Sequence, residues 1–402
     1  MTSIAEDLAT WAVDFKPTTQ DIELAQRSLL DTIAVTIAAR NEPIVRVISD
    51  LSEVTRWAVL GHVLDFDDLH MESTAHISVV CVSAALATGG DARSYLAGAG
   101  VMARLGIALG WSHYSSGWHT TATAGAPAAA VAASIALGLN ADQIATAMAL
   151  AVPAAGGVQR AFGTDAKSLQ VGFAANAGVR AARLAAAGAT ADPSAVDIWL
   201  ELVGGDPSAI DTGGPAIPGG LAVKAFPCCY ALQRPINALS GLARQNHLNP
   251  DDITRIVLKT PKGTVTPLIH HRPTTGLQAK FSIEYAAATA LLDEYQGFSS
   301  FTDESAQRPE VRRLVDLVDV QLGNGGDWLL AGEFEAEVYV GEKVLHAQEQ
   351  FPPGSPQRPL TKDQLMRKVQ DCLTGTSLDP ETIDWSTANK ILRHYLLIPS
   401  TP

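Results

Sequence analysis

Through the first half of the chain, apolar residues recur every three or four positions. Ile22, Ala25, Leu29, Ile33 and Ile37 form one such stripe, the spacing that places side chains on a single helical face. Thr18 and Asp21, just after Pro17, supply a capping-box start for it. The same reading predicts helices over about 79–90, 94–109, 119–138, 142–154, 167–188 and 193–203. Near residue 205 the pattern breaks at Gly204-Gly205, Gly213-Gly214-Pro215 and Pro218-Gly219-Gly220, which punctuate a loop. Beyond it, Ile253–Thr260 and Glu333–Val340 alternate like strands, and Gly341-Glu342 turns the second into Lys343–Gln348 as a hairpin. Helices over about 230–246, 282–294, 308–317 and 361–373 intersperse these strands, which makes an α+β segment. Asp384 to Leu397 reads helical again and is expected to return to the first domain.

Composition narrows what these helices must do. Of 402 residues, 47% are hydrophobic, 18% charged and 6% aromatic, against about 25% charged in an ordinary globular chain. A disordered chain is thereby excluded, and the length suggests two or three domains. The helices are rich in Ala and Gly, so their stability has to come from close packing rather than from large side chains. Thr120–Asn140 and Ile144–Gln159 carry no charge, but Pro127 and Pro153 interrupt them and small residues dominate. A buried helical hairpin is expected there rather than a membrane span, which needs about 20 strongly apolar residues.

Charge and cysteine usage point the same way. Lys plus Arg is 29 against Asp plus Glu 42, a net charge of −13, and no basic face for nucleic acid is evident. Cys81, Cys228, Cys229 and Cys372 are sparse and lack metal-binding spacing, which fits reduced thiols and a cytoplasmic setting. Met1 to Phe15 carries Glu6, Asp7 and Asp14 without a basic start, unlike a secretory signal. No dinucleotide fingerprint, phosphate-binding loop, zinc-protease or serine-hydrolase motif occurs, which argues against nucleotide cofactors and serine hydrolysis.

The densest polar cluster is Asp65-Phe66-Asp67-Asp68-Leu69-His70, continuing to His76. Several readings compete for it. Asp65, Asp67 and His70 could converge on a metal. The DxDD string also matches the acid motif of class II terpene cyclases, although those line their cavities with aromatics, which are scarce here. An Asp and a His at a helix end could perform general acid–base chemistry, and a solvated helix cap would look the same. His119 and Thr120 open the charge-free helix, a place where an anion can bind. Lys167 stands at a helix start, where its charge is unfavourable unless used, or it is an exposed lysine lying along the surface. Lys224 precedes Cys228 and Cys229, which read either as a thiolate site or as small core residues. Arg272 and Tyr285 flank the start of a later helix, where Tyr285 could equally be a packed aromatic.

Taken in order, these strings resemble the MmgE/PrpD family. The strongest match is LDFDDLHMESTAHIS at 64–78, led by His62. It is followed by GWHTTATAG at 117–125, FGTDAKSLQVGFAANAGVRAARLA at 162–185, KAFPCCY at 224–230, TTGLQAKFSIEYAAATALLD at 274–293 and PLTKDQLMRKV at 359–369. The resemblance implies a large all-helical domain, 1–222 together with 380–402, and a smaller α+β lid domain, 223–379, in a homodimer. It implies a cofactor-free, metal-free enzyme acting on small di- or tricarboxylates, with no membrane or nucleic-acid partner. The shared task is moving a proton at a carbon beside a carboxylate, which needs a positioned base and cations for the developing charge. Carried over by position, Asp65, His76, Lys167, Lys224 and Tyr285 are the expected catalytic residues: the lysines bind carboxylates, His76 is acid or base, Asp65 orients it, and Tyr285 donates. His62, His119, Thr120, Leu69, Cys229 and Arg272 are expected around the substrate. Leu69 replaces a usual Thr, Gln233 a common His and Asn237 a nearby Asp, and the stretch between Arg40 and Gly61 is short. The expected reaction is dehydration of a 2-methylcitrate-like acid. Epimerisation of an iminodisuccinate-like substrate, decarboxylation of a cis-aconitate-like one, and a binding-only homologue are the alternatives.

Overall fold

The computed structural model describes residues 2–323 and 325–396. The chain divides into two compact units, Met1–Val223 with Leu365–Pro402, and Lys224–Gln364. It is mainly α, with one small sheet in the second unit.

In the first unit the helix Thr19–Ala38 begins as its residues dictate. The Thr18 hydroxyl accepts from Asp21 N while the Asp21 carboxylate accepts from Thr18 N, which satisfies backbone donors that a helix start leaves open. Of its predicted stripe, Ala25, Leu29, Ile33 and Ile37 are buried, and Ile22 at the open end is exposed. The charge-free helix Thr120–Ala136 is buried on all sides from Thr120 to Ser134. It packs against Ala92–Ser115, Ala166–Ala186 and Ala141–Ala151. Small residues allow this approach: a Cβ at Gly178 would lie 2.4 Å from Ala130 N, and one at Gly98 would lie 2.6 Å from the Ala132 Cβ. Among the described residues no helix is long and apolar enough to cross a membrane.

A helix absent from the sequence-based expectation, Glu53–Val63, lies just before the polar cluster and carries His62 in its last turn. The chain also rejoins the first unit at Leu365, earlier than the expected residue 380. The reason lies in the helix Lys362–Cys372, where Lys368 is buried and its ammonium sits 2.6 Å from Asp31 and donates to the Phe66 carbonyl at 2.8 Å. A buried ammonium of this kind is tolerated only where charge and hydrogen bonds compensate its lost hydration. The final helix runs from Ala388 to Tyr395. Leu397, the end of the predicted tail helix, lies outside the described residues.

The second unit holds a four-stranded sheet. Its strands are β1 (Ile253–Pro261), β2 (Val318–Gly323), β3 (Phe334–Val340) and β4 (Lys343–Glu349), in the order β2-β1-β3-β4. β1 pairs parallel with β2 and antiparallel with β3, and β3 and β4 form the expected hairpin. Strand β2 was not among the expected elements although VDVQLG alternates apolar and polar residues, and none of its residues is fully buried. Helices Gln233–Gln245 and Ile283–Leu292 pack together, and the first also lies against β3 and β4.

Candidate active site

The polar cluster of the first unit folds into a tight turn between two helices. Asp65 has φ 56°, a left-handed conformation uncommon for a residue with a Cβ, and Thr74 has φ 58°. The turn sends its successive carboxylates to different partners. Asp65 accepts from the Lys167 ammonium at 2.6 Å. Asp67 Oδ2 accepts from His62 Nδ1 at 2.8 Å and lies 3.1 Å from His76 Nδ1. Asp68 bonds the backbone N–H of Ser78 at 3.1 Å and also the Ser78 hydroxyl, which in turn contacts the Tyr95 hydroxyl.

Three imidazoles meet here. The His62 and His76 rings lie 4.6 Å apart edge to face, and His62 and His119 stack at 5.7 Å. His119 also meets the Phe162 ring edge to face at 5.0 Å, and the Lys167 ammonium lies 5.6 Å from the same ring. His76 and His119 are the N-cap residues of Ile77–Ala87 and Thr120–Ala136, and neither side chain caps its helix. Both imidazoles therefore sit at the positive ends of buried helices. The Thr121 hydroxyl accepts from His76 N at 3.0 Å, while the buried Thr120 hydroxyl has no partner among the described residues.

Burial sets the protonation states. Burial pushes His62 down to about 4 against the partial pull of Asp67, and it holds His119 well below the ordinary imidazole range, with His62, Lys167 and His76 adding to the effect. Burial alone would raise the Asp67 carboxyl, but His62 and His76 together hold it well below the usual carboxylate range. A neutral His62 that donates from Nδ1 keeps its lone pair on Nε2, and that atom is buried without a partner among the described residues. Asp68 moves the other way: burial raises it to about 7, beyond what the Ser78 bonds offset.

The metal reading of Asp65, Asp67 and His70 is not what the fold assembles. Both nitrogens of His70 are taken, by the Ser73 hydroxyl and the Pro218 carbonyl at 2.7 Å each. Among the described residues, His62, Asp67 and His76 are a group whose ligand atoms lie within 4.8 Å of one another; Asp67, named above only as a possible metal ligand, was not among the expected catalytic residues. Leu69 is buried and bridges Ala222 through the backbone. In the second unit Lys224 and Cys229 are buried, and the Cys229 N–H donates to the Lys280 carbonyl. Gln233, in place of a common family His, accepts from Ala225 N and Phe226 N and so holds the turn after Lys224. The buried Tyr285 hydroxyl donates to the Ser300 carbonyl and also contacts the Ser305 hydroxyl. Arg272 is largely exposed and pairs with Asp316 at 2.8 Å, beside a surface cavity of about 460 Å³ that Tyr285 and Arg312 also line. Gln170, which the sequence did not single out, touches His119 directly.

The profile of the MmgE/PrpD N-terminal domain matches residues 56–197, and that of the C-terminal domain matches 226–384. The chain belongs to the MmgE/PrpD family. Among its MmgE/PrpD relatives, a cis-aconitate decarboxylase of Aspergillus terreus is 24% identical over 362 residues, covering 79% of this chain and 73% of that protein. The human cis-aconitate decarboxylase is 29% identical over 217 residues, 51% of this chain and 45% of that protein. The family is set by the two domain matches, and the relatives this MmgE/PrpD chain resembles are named as decarboxylases, which are lyases.

Proposed function

We propose that the chain is a lyase acting on a small di- or tricarboxylate, and that its own side chains move a proton at a carbon beside a carboxylate. The observation that carries this is Asp67, an ionised buried carboxylate set against both His62 and His76. Such a carboxylate fixes the orientation of an imidazole and stabilises the proton that it takes up. Of the three imidazoles, His76 keeps the most exposure, with 9% of its side chain accessible, and is the acid or base. Lys167 and the open helix ends at His76 and His119 supply positive potential for substrate carboxylates and for the charge that develops when the carbon loses a proton or CO₂. Asp65 holds the Lys167 ammonium at this place.

Decarboxylation is the leading reaction, because the relatives named above carry it in their names and because loss of CO₂ needs no acid for a departing hydroxide. Leu69 and Gln233 supply no such acid. Dehydration of a 2-methylcitrate-like acid and epimerisation would use the same groups. The test is proton NMR in D₂O with cis-aconitate, 2-methylcitrate, citrate and substituted succinates. The expected result is a product of cis-aconitate that has lost one carboxylate and gained one deuterium beside another. Water loss from 2-methylcitrate or an inverted succinate centre would assign the other reactions, and a folded chain that exchanges no proton with any of them would overturn the enzyme reading. The proposed active form is a homodimer, and a monomeric mass by light scattering in the assay buffer would remove that part.

A further inference from the structure

The three imidazoles are not wired alike. In the helix Ala166–Ala186, Gln170 stands three residues after Lys167, so both lie on one helical face. The Gln170 amide is pinned by a single residue of the neighbouring loop: Oε1 accepts from Val158 N at 3.0 Å, and Nε2 donates to the Val158 carbonyl at 3.3 Å. A backbone N–H can only donate and a carbonyl can only accept, so the amide cannot be turned over without losing both bonds. The loop is held in turn, since the His119 N–H donates to the Gly157 carbonyl at 2.9 Å. Gly157 has φ 138°, and a Cβ there would lie 2.7 Å from the Ala122 Cβ and 3.1 Å from Gln170 Oε1. With its orientation fixed, the Gln170 Nε2–H₂ group faces His119 Nδ1 at 2.6 Å. An amide nitrogen is a donor only, so His119 Nδ1 must be the acceptor.

We propose that Gln170 is a positioning residue that fixes His119 as the Nε2–H tautomer, so that the site pairs one imidazole set as a donor, His119, with one set as an acceptor, His62. His62 has the opposite arrangement, donating from Nδ1 to Asp67 and keeping an Nε2 that has no partner among the described residues. The burial that keeps His119 neutral keeps the distinction sharp, because a doubly protonated ring would have no tautomer to choose. A site of this polarity offers His119 as a hydrogen-bond donor to an anionic oxygen while protons are exchanged through the Asp67-held imidazoles. The catalytic meaning rests on the function proposed above; the tautomer itself does not.

The experiment separates the two. Long-range proton–nitrogen NMR of the full chain labelled with ¹⁵N-histidine, with His119→Asn to assign the signals, reads the tautomers without any substrate. In the parent, His119 is expected to be protonated at Nε2 and His62 at Nδ1. In Gln170→Glu the carboxylate can only accept, so the proton is expected at His119 Nδ1; in Gln170→Met, which offers no donor, a mixture is expected. A parent His119 protonated at Nδ1, or a proton that does not move in Gln170→Glu, overturns the proposal. If Gln170→Glu does not fold, Gln170→Met carries the test alone, and an unchanged single tautomer there overturns it equally. Where cis-aconitate is turned over, kcat of Gln170→Glu is expected to fall about a hundredfold or more, within the range for loss of a positioned acid or base. A kcat within about twofold of the parent while the proton has moved overturns the positioning role.

Discussion

Asp67→Asn tests the central element of the site most directly. The substitution preserves shape and leaves an amide oxygen where Oδ2 now accepts from His62 and faces His76. The charge is removed, and Oδ1 becomes an amide NH₂ group. A hydrogen bond to a charged group contributes about 1.5–3 kcal/mol, and a neutral one about 0.5–1.5 kcal/mol. The loss is therefore about 1–1.5 kcal/mol at each imidazole, or about 2–3 kcal/mol in all. If the imidazoles take up positive charge in the transition state, that loss appears there in full, and kcat/KM is expected to fall about 30- to 150-fold. Stability should respond differently. A carboxylate buried this deeply pays a large desolvation cost, which offsets part of its favourable interactions, so the variant is expected to melt only modestly below the parent at neutral pH. Asp67 is held below its unfolded pKa, so its contribution to stability is present above about pH 4 and is lost as pH falls further. The variant lacks that dependence and should close on the parent, or overtake it, in acid. The assay is kcat/KM with cis-aconitate together with thermal melts at several pH values. Activity within about twofold of the parent would refute the reasoning, because the imidazoles would then gain nothing from the charge.

Lys167→Met removes a cation 2.6 Å from Asp65, with the two side chains 13% and 8% exposed, and is expected to cost about 3 kcal/mol of stability in urea melts. Adding Asp65→Asn should return most of that stability without restoring activity; a double variant as unstable as the single one would contradict it. Lys368→Met takes the ammonium from Asp31 and from the Phe66 carbonyl, and an earlier urea midpoint worth about 3–5 kcal/mol is expected. His62 and His70 are both pushed by burial to about 4, so their contribution is full above the unfolded imidazole pKa of about 6.5 and is lost as pH falls toward 4. Asp68, raised to about 7, acts in the opposite sense: its contribution is full below about pH 4 and is lost as pH rises through 7. Asp68→Asn should therefore gain on the parent in melting temperature between pH 4 and 7, and a difference that stays flat over that window would show that Asp68 is already ionised.

Much of the fold was legible because its determinants are local. The Thr18–Asp21 capping box, the stripe from Ala25 to Ile37 and the small residues that bring Thr120–Ala136 against its neighbours all follow from spacing and side-chain size. What the sequence did not display depends on contacts between distant segments. Lys368 reads as one more surface lysine until Asp31 and Phe66, more than three hundred residues earlier, are placed beside it. Gln170 carries no chemistry of its own, and its spacing from Lys167 gains meaning only when the Val158 backbone and His119 are brought against it.

The polar cluster shows the limit most clearly. Asp65, Asp67 and Asp68 are chemically alike and adjacent, and no pattern rule separates them. In a regular strand Asp65 and Asp67 would share a face, and in a helix all three would spread around the axis. The left-handed backbone at Asp65 belongs to neither pattern. It sends the first carboxylate to a lysine, the second to two imidazoles and the third to a serine at a helix start. Burial then gives the second and third opposite fates, one held ionised by its imidazoles and the other pushed toward its neutral form. Asp65 was the carboxylate expected to orient His76, while the one set against His62 and His76 is Asp67, two residues on. The difference between them is a property of the folded turn, with its left-handed backbone at Asp65, and not of the residue types along it.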